Sequence, residues 1–331
     1  MSLVNKAHAI KTLCVLPGVL ALALAAHTPA FGQTFPNKPI TLVVPYAPGG
    51  SVDVIGRVVA QSLTQSLGQS VVVENRAGAG GAIGVAAVAR AQPDGYTLLF
   101  TSLGALTVTV HLTKVTFDPL KDFAPISLVA RSGLVLSVHP SSPIKNLQDL
   151  LAAARARPGT INYSVTGVGS QTFLAGELIK RAAKVDMTPI QYKGGGPAAA
   201  AVASGEVPLG ITDSGPILPL AQGGKVRLIA VTGATRTSSM PDVPTLQEAG
   251  LPDLQIDSGL AMFAPAGTPV AIVNRLSEVV ATALRTPEVA ERIRSASHEP
   301  AGTTPAELGA FVNSEYDKYK TLIRETGIKL E

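Results

Sequence analysis

The sequence predicts an α/β fold in which helices cover a parallel sheet. Apolar runs over residues 40–44, 71–73 and 96–100 are typical of buried strands, and longer helical patterns separate them. Parallel strands need a crossover connection, for which a helix is the usual solution. The alternation of strand, helix and strand therefore indicates a parallel sheet with helices packed against it.

The first crossover helix is predicted from its apolar spacing. Apolar residues recur at steps of three and four at Val52, Ile55, Val59, Leu63 and Leu67. The helix is expected to begin near Ser51 and to end before Gly68, because glycine readily takes the left-handed conformation at a helix end. A second helix, rich in small residues, is predicted over 81–91 and leads to the third strand.

The alternation resumes after Pro119. Apolar runs over 126–130 and 134–138 precede a predicted helix over 146–157. Further strands are predicted over 161–165, 187–191, 207–212 and 226–231, and further helices over 172–184, 197–204 and most of 269–325. No repeat with a fixed period of about 20–50 residues is visible, which excludes a solenoid. A chain of 331 residues is long enough for two domains of the usual size.

Residues 1–32 are typical of a secretory signal peptide. Two lysines and a short apolar run precede the small residues Ala30 and Gly32. We expect cleavage near Gly32 and export of the mature chain to the periplasm. The alternatives are an uncleaved membrane anchor, for which the apolar run is short, and a lipoprotein signal at Cys14, which the bulky Leu13 disfavours.

The composition of the mature chain excludes several classes of function. Removal of the two lysines in the signal lowers the net charge from +4 to +2 and also removes the single Cys. So small a charge excludes a phosphate-neutralising nucleic-acid binder, and 4% aromatic residues without Trp exclude stacking platforms. A chain without Cys has no disulfide and no thiolate metal cage. No later segment is apolar enough to span a membrane.

Two glycine-rich turns each join a strand to the helix that follows it. They span residues 45–51 and 166–172. The start of a helix has unpaired N–H groups and a partial positive charge, and glycines let an anion approach those groups closely. Open sheets bind ligands at the carboxyl ends of their strands, so the two turns are candidate sites for the two ends of a small anion. The alternative is ordinary helix capping, for which Ser51, Asp53 and Ser170 are also suited.

Other chemistries lack the residues that they need. Neither turn has the Lys of a phosphate-binding loop, and the glycine run over 78–84 follows a charged segment and resembles a dinucleotide turn only loosely. His111, His139 and His298 are isolated in the sequence, so neither a zinc site nor a catalytic triad is predicted. We expect no cofactor, no metal ion and no catalysis; a hydrolase that uses Ser170 is the alternative.

Seven sequence blocks occur in an order known from one protein family. They are PITLVVPYAPGGSVD (39–53), GQSVVVENRAGAGG (68–81), PDGYTLL (93–99), GVGS (167–170), YKG (192–194), DVPT (242–245) and APAGTP (264–269). Together they resemble the substrate-binding receptors of tripartite tricarboxylate transporters, the Bug (TctC-like) family. The resemblance covers essentially the whole mature chain.

The resemblance implies a two-lobed periplasmic binding protein of the type II-like kind. Each lobe would be a sheet covered by helices, with the ligand cleft between the lobes and crossover strands joining them. The implied organisation is a signal peptide over 1–32, a first lobe over 33–131 that is completed by 255–331, and a second lobe over 132–254.

The resemblance also implies the ligand-binding residues. In this family, main-chain N–H groups and hydroxyls of the two turns hold a ligand carboxylate. The matching residues here are Tyr46, Pro48, Gly49, Gly50, Ser51 and Asp53 in the first turn, and Gly167, Gly169, Ser170, Gln171 and Thr172 in the second. Ser102 and Asp213 each follow a strand and are further candidates, with Thr101 and Ser214 beside them.

The chain departs from the family pattern at four places. Phe173 stands where His is usual, and Pro208 stands where Asp is common. Gln191 replaces a frequent Pro, and a Trp expected near residues 257–259 is missing. Phe173 either repacks a helix or makes the site less polar, so the ligand specificity stays open.

We therefore expect a receptor without enzymatic activity that captures a small organic carboxylate and delivers it to the membrane permease subunits of a tripartite transporter. It would act as a monomer whose lobes close over the ligand, and would bind neither nucleic acid nor membrane. A periplasmic sensor that feeds a signalling partner is the alternative. The ligand candidates are dicarboxylates, tricarboxylates, acidic amino acids, aromatic acids and nicotinate-like compounds.

Overall fold

The computed structural model describes residues 35–167, 169–237 and 239–328. The expected signal peptide over 1–32 and its cleavage site lie outside these residues. In the part of the chain that is described, no helix combines the length and the apolar character needed to cross a membrane.

The described residues form ten strands and eleven α-helices. The strands are β1 (Ile40–Val44), β2 (Val71–Asn75), β3 (Thr97–Ser102), β4 (Phe123–Val138), β5 (Asn162–Val165), β6 (Thr188–Gln191), β7 (Leu209–Asp213), β8 (Arg227–Val231), β9 (Asp257–Pro265) and β10 (Glu299–Pro300). The helices are α1 (Ser51–Leu67), α2 (Ala82–Ala89), α3 (Gly104–Thr107), α4 (Thr109–Leu112), α5 (Leu147–Ala156), α6 (Gln171–Ala183), α7 (Gly195–Ala203), α8 (Ser214–Gln222), α9 (Val270–Arg285), α10 (Pro287–Ser295) and α11 (Pro305–Thr326). A turn of 3₁₀-helix over Ala79–Gly81 leads into α2.

The strands form one mixed sheet in the order β2-β1-β3-β9-β4-β7-β5-β6, and β8 and β10 also pair with β4. In the first half of the sheet, β1 is parallel to β2 and β3; in the second half, β5 is parallel to β6 and β7. The predicted parallel pairing is therefore confirmed at both ends. The middle of the sheet is antiparallel: β9, which the sequence pattern does not predict, runs antiparallel to β3 and β4, and β4 runs antiparallel to β7.

A single long strand, β4, joins the two halves. The apolar runs over 126–130 and 134–138 both belong to this strand, because the polar residues between them continue it. Arg131 pairs with Gly259 of β9, and Gly133 pairs with Asp257. From Leu134 onward the strand pairs with β7 and β8 instead. Backbone pairing with β9 thus keeps the chain extended where the apolar pattern is interrupted.

Each half of the sheet has its own apolar core. In the first core the Phe123 ring packs edge-on against Phe117 and Phe263, with ring centroids 5.9 and 6.2 Å away. In the second core the fully buried Tyr163 ring and Leu174 lie between the sheet and α6. Each such side chain contributes about 1.5–3 kcal/mol through the area that it removes from water.

Helix α11 packs against both cores. Leu308 and Val312 belong to the first core, whereas Tyr319 and Ile323 belong to the second. These four residues recur at helical spacing on one face, and a helix of 22 residues is about 33 Å long. The C-terminal helix therefore ties the two halves of the sheet together, and its Tyr319 hydroxyl lies 3.4 Å from Gln171 Nε2 of the second glycine turn.

The first crossover helix, α1, forms as predicted. It begins at Ser51 and ends at Leu67, and Gly68 takes the left-handed conformation (φ 70°) with its N–H donating to the Thr64 carbonyl at 3.1 Å. The predicted apolar face is buried except at Leu67, which is half-buried. Its N-terminus follows Gly50 directly, so the first glycine turn lies at the positive end of a long helix.

The structure adds elements that the sequence pattern does not predict: α3, α4, α8, β9 and β10. Helix α8 contains Pro219, which hides its helical character in a sequence pattern. Strand β9 contains Gly259, a residue that weakens a strand pattern.

Candidate functional site

The first glycine turn is held in shape by Asp53, in the first turn of α1. Its Oδ2 accepts a hydrogen bond from the Gly49 N–H at 3.0 Å, and Gly49 has a positive φ of 87°. Its Oδ1 accepts hydrogen bonds from Arg57 and from the Asn75 amide, each at 3.0 Å. Burial opposes ionisation, but these hydrogen bonds outweigh it and keep the pKa of Asp53 below its usual range.

Arg57 and Asn75 are supports that sequence reasoning does not identify. The side-chain amide nitrogen of Asn75 donates to the Tyr46 main-chain carbonyl at 3.0 Å, and Arg57 donates to the side-chain Oδ1 of Asn75 at 3.0 Å. Asn75 is the last residue of β2. A polar residue at the carboxyl end of a strand is therefore the sequence feature that could have identified Asn75 as part of the site. The carboxylate of Asp53 is thus fully engaged in supporting the turn, and its charge is balanced by Arg57 at 2.9 Å.

Tyr46 forms a buried wall of the site. Burial raises the pKa of the Tyr46 phenol well above its usual range; a hydrogen bond with Thr101 opposes the rise, the nearby charge of Asp213 adds to it, and a hydrogen bond with Ser102 opposes it. A Cβ added to Gly81 would lie 3.0 Å from the phenol oxygen, so the glycine run passes directly over Tyr46. Tyr46 therefore stays neutral and presents a hydroxyl to its surroundings.

The second turn contains three hydroxyls that bind one another. Ser170 caps α6 by accepting a hydrogen bond from the Phe173 N–H at 3.2 Å. Thr172 Oγ1 lies 2.8 Å from Ser170 Oγ and 3.0 Å from Thr166 Oγ1, and accepts a hydrogen bond from the Thr166 N–H at 2.9 Å. None of these partners is a base that could activate the Ser170 hydroxyl, so the arrangement does not support a serine nucleophile.

Phe173, which replaces the usual His, lies outside the site. It is buried in the second core with Leu174 and does not line the cavities described below. Pro208 is exposed and does not line them either. Of the two expectations for Phe173, the structure supports repacking of a helix rather than a less polar site.

The start of α7 packs directly against the first turn. A Cβ on Gly50 would lie 3.4 Å from the Gly195 nitrogen, and a Cβ on Gly196 would lie 3.1 Å from the Pro48 carbonyl. The Ala47 N–H donates to the Lys193 carbonyl at 2.8 Å. Only glycine allows two backbones to approach this closely.

Helix α8 also meets the first turn. The Gly215 N–H donates to the Ser51 hydroxyl at 3.2 Å. Ser214 points elsewhere, because its hydroxyl donates to the Ser297 carbonyl at 2.9 Å. The hydroxyl of Ser51 therefore joins the two halves of the sheet, and it does not cap α1, whose N-cap is Gly50 without a side-chain cap.

Gln171 has a fixed orientation with one unused acceptor. Its Nε2 donates to the Asp257 carbonyl and, at 3.4 Å, to the Tyr319 hydroxyl. A carbonyl oxygen can only accept, so the amide nitrogen must face Asp257. The amide oxygen is buried, and within the described ranges it has no hydrogen-bond donor. That oxygen lies near Gly104, 3.3 Å from where a Cβ would be.

These elements enclose a small space, here called the inner cavity, of about 20 Å³. Eight predicted residues line it: Tyr46, Gly50, Ser51, Ser102, Ser170, Gln171, Thr172 and Asp213. Sequence reasoning misses Gly80, Gly104, Thr166 and Gly195, which also line it. The only sequence feature that could identify them is a glycine or threonine beside a predicted turn or helix start. That feature is too common in proteins to identify a ligand-binding residue.

A second space, the outer chamber, has a volume of about 250 Å³ and shares Tyr46, Gly80 and Thr166 with the inner cavity. The predicted residue Gly167 and the residue Lys193 also line the outer chamber. The other predicted residues, Pro48, Gly49, Asp53 and Gly169, line neither space, and Thr101 lies buried beneath Tyr46.

Among the described residues, no cluster of three or more His, Cys, Asp or Glu side chains is arranged to hold a metal ion. The described histidines lie apart from the two turns. His139 contacts Ser141 at 2.8 Å, His111 contacts the Tyr316 carbonyl at 3.2 Å, and His298 contacts the Ala296 carbonyl at 2.7 Å. The geometry favours binding of an anion by backbone amides and hydroxyls.

Comparison with known proteins agrees with this geometry. A sequence model of the family described as "Tripartite tricarboxylate transporter family receptor" matches residues 55–328. The chain is 36% identical over 316 residues to Protein BugT of Bordetella pertussis, covering 95% of this chain and 97% of that protein. The resemblance seen in the seven sequence blocks is therefore confirmed.

Two solved structures are similar throughout. One is the periplasmic binding protein BugD, with a TM-score of 0.86, 31% identity and coverage of 90% of this chain and all of that one. The other is MatC from Rhodopseudomonas palustris with bound malate, with a TM-score of 0.84, 32% identity and coverage of 87% and 100%. They confirm the two-lobed α/β fold of periplasmic binding proteins. The chain belongs to the tripartite tricarboxylate transporter receptors, a family of periplasmic solute-binding proteins.

Proposed function

We propose that this chain captures a small organic carboxylate in its inner cavity and delivers it to the membrane permease of a tripartite transporter. The observation that carries the proposal is the convergence of four helix N-termini, those of α1, α6, α7 and α8, on a cavity that no cationic side chain of the described residues lines. Their N–H groups and partial positive charges favour an anion. Uncharged donors also suit a ligand that must be released again, because an Arg fork would add strong charge-assisted bonds.

The bound malate of MatC supports a carboxylate as the ligand class. In this chain one carboxylate would bind at the helix N-termini, and the body of the ligand would extend into the outer chamber. Lys193 lines that chamber and would attract a second negative group. A dicarboxylate carries one negative group for the helix N-termini and one for Lys193, so it is the first class of compound to test.

Ligand entry requires the two halves to separate. A cavity of about 20 Å³ has room for about one water, which is far less than a dicarboxylate occupies. The hydrogen bonds from Ala47 to Lys193 and from Gly215 to Ser51 join the halves in this conformation. We propose that the ligand enters an open form and that these contacts return on closure. Lobe boundaries at 131/132 and 254/255 would place the hinge in β4 and at the start of β9, and they stay a prediction.

Replacement of Ser170 by Asp and by Asn tests the site. Both residues cap a helix well and have nearly the same size, so only the charge in the cavity differs. We expect Ser170→Asp to weaken malate binding at least about tenfold more than Ser170→Asn, since like charges repel at short distance. Isothermal titration calorimetry measures the affinities, and thermal unfolding checks that both variants are folded. Equal affinities for the two variants would place the carboxylate elsewhere.

A measurement of ligand delivery to the permease distinguishes a transport receptor from a sensor. The purified mature chain, loaded with radiolabelled malate, would be added to membrane vesicles that contain the permease subunits. We expect uptake that depends on the chain and that Ser170→Asp abolishes. A chain that binds malate but supports no uptake would favour a sensor.

We also propose that the chain is not an enzyme and is exported. Malate recovered after long incubation should be chemically unchanged by nuclear magnetic resonance. Mass spectrometry of the chain from a periplasmic extract should give a mature N-terminus near Gln33. A chain that starts at Met1 in that extract would contradict the expected cleavage.

A further inference from the structure

A third pocket lies on the hinge, apart from the inner cavity and the outer chamber. This hinge pocket has a volume of about 400 Å³, within the range of small-molecule sites. It is built from the two joining strands β4 and β9, from α11, and from the loop after β8. Residues of both sheet halves and of the hinge itself therefore surround it.

The floor of the hinge pocket carries two opposite charges. Arg131 of β4 faces Gly259 of β9, and Gly133 faces Asp257. Since side chains alternate along a strand, these four residues lie on one face of the strand pair. The two charges occupy diagonal corners, which in an antiparallel pair are about 7–8 Å apart. The glycines at the other two corners carry no side chain, and on its other side Arg131 pairs with Glu299 of β10.

The walls of the hinge pocket come close to its floor at the two glycines, Gly133 and Gly259. A Cβ on Gly133 would lie 2.6 Å from the Gly233 nitrogen, and a Cβ on Gly259 would lie 2.8 Å from the Leu103 side chain. Backbone therefore forms one wall and an apolar side chain forms the other. The charged corners between them stay open to solvent, because both Arg131 and Asp257 are exposed.

Arg131 and Asp257 have no ionic partner among the residues that the structure describes. The Arg131 guanidinium lies 4.7 Å from the centroid of the Phe311 ring, which orients it without neutralising it. Asp257 Oδ2 accepts a hydrogen bond from the neutral Gln255 amide at 2.8 Å. The other charged lining residues are paired: Arg236 with Glu248 at 2.8 Å, Glu299 with Arg294 at 3.7 Å, and Glu315 with Lys318 at 3.3 Å.

Gln171 separates the hinge pocket from the inner cavity and lines both. It is 6% exposed, and its amide oxygen has no donor within the described part of the chain. That oxygen lies near Gly104, which lines the inner cavity and not the hinge pocket. Gln171 therefore serves as a partition between the two spaces.

We propose that the hinge pocket is a second ligand site, for a small zwitterion of the amino-acid type. Its carboxylate binds the fork of Arg131, and its ammonium group binds Asp257. The remaining carbon chain lies on Leu103 and Phe311. The site is distinct from the inner cavity, whose lining includes no cationic side chain from the described ranges.

The test uses the mature chain with γ-aminobutyrate, glycine and L-glutamine as probes in titration calorimetry. Succinate and putrescine serve as controls that carry only one sign of charge. Arg131→Gln and Asp257→Asn remove one charge each with little change of size, and Arg131→Lys restores the positive charge. Because Arg131 and Asp257 are exposed, these variants should fold, which thermal unfolding checks. Ser170→Asp blocks the inner cavity and leaves the hinge pocket intact.

We expect at least one zwitterion to bind the wild type and Ser170→Asp with equal affinity. Binding should weaken about tenfold or more in Arg131→Gln and in Asp257→Asn, and Arg131→Lys should recover part of it. In the Ser170→Asp background, succinate and putrescine should bind more weakly than the zwitterion. No binding of any zwitterion at millimolar concentration would overturn the proposal. Loss of binding in Ser170→Asp, or unchanged binding in both hinge variants, would overturn it as well. None of these outcomes bears on carboxylate binding in the inner cavity.

Discussion

Gly104 and Gln171 face each other so closely across the inner cavity that a Cβ on Gly104 would lie 2.7 Å from the Cβ of Gln171. Gly104 begins α3, just after β3 of the first half, whereas Gln171 begins α6 in the second half. Real Cβ atoms essentially never approach a heavy atom this closely. The two halves therefore reach this separation only because residue 104 has no side chain.

We expect Gly104→Ala to hold the two halves apart. Overpacking costs about 1–3 kcal/mol, which corresponds to a loss of carboxylate affinity of about 5- to 150-fold. Titration calorimetry with malate measures the affinity, and small-angle scattering should show a larger radius of gyration for the ligand-saturated variant. The matched control is Gly309→Ala in α11, where the new Cβ would meet only Pro125 at 3.6 Å. It should bind like the wild type, and equal affinity of Gly104→Ala would contradict the prediction.

Asp53→Asn should destabilise the protein in a pH-dependent way. Asp53 has a lowered pKa in the folded state, so the unfolded state binds more protons as the pH falls. Its contribution is fully present above the ordinary Asp pKa of about 3.9 and is lost as the pH falls through the lowered value. We expect urea unfolding at pH 7 to show a loss of about 1–3 kcal/mol, and a smaller loss at pH 3. Asp317→Asn, which removes an exposed carboxylate, is the control. A loss that is equal at both pH values would exclude this role of the charge.

His298 should make stability decrease in mild acid. The ring is 1% exposed, and burial lowers the pKa of His298 to about 4. Nδ1 must donate to the Ala296 carbonyl at 2.7 Å, and the buried Nε2 has no partner among the described residues. Protonation of Nε2 would therefore bury an unpaired charge.

The stabilisation from His298 is present above pH 6.5 and is lost as the pH falls through about 4, because the unfolded state binds the proton first. By pH 5 we expect the free energy of unfolding to fall by about 2 kcal/mol from this group. His298→Gln should remove that slope, and His139→Gln should keep it. Parallel pH profiles for the wild type and His298→Gln would show that the prediction fails.

Leu308→Ala should lower the free energy of unfolding, because it weakens the packing of α11 against the first core. Leu308 is fully buried there, and removal of such a side chain costs about 2–5 kcal/mol. Leu120→Ala serves as the control, since Leu120 is 42% exposed and its loss should change stability by less than about 0.5 kcal/mol. Chemical denaturation gives both values. Similar values for the two variants would mean that α11 contributes little to the first core.

Elements with a strong local pattern are predictable from the sequence. Helix α1 follows from apolar spacing and from Gly68 at its end, because both signals act within a few residues of each other. Strand β4 is different: pairing with β9 and β10, both more than 120 residues away in the chain, keeps residues 131–133 extended. Helix α8 escapes prediction because Pro219 masks it.

The candidate site likewise contains residues that are predictable from the sequence and residues that are not. The two glycine turns and their serines are visible as residue patterns, and eight of the predicted residues do line the inner cavity. The supports Arg57 and Asn75, and the approach of Gly195, are not visible. Each depends on which strand ends lie side by side.

The sequence by itself determined the alternation of strands and helices, the two glycine turns, and the family to which the chain belongs. Those features are encoded locally, in spacing and in short motifs. Only the tertiary structure decided that four helix N-termini converge on one cavity, that Asp53 supports a turn, and that Arg131 and Asp257, without an ionic partner among the described residues, lie on the paired strands β4 and β9. The reason is physical: hydrogen-bond partners, close backbone contacts and neighbouring charges are set by how β4 and β9 join the two halves, and these partners are distant in sequence.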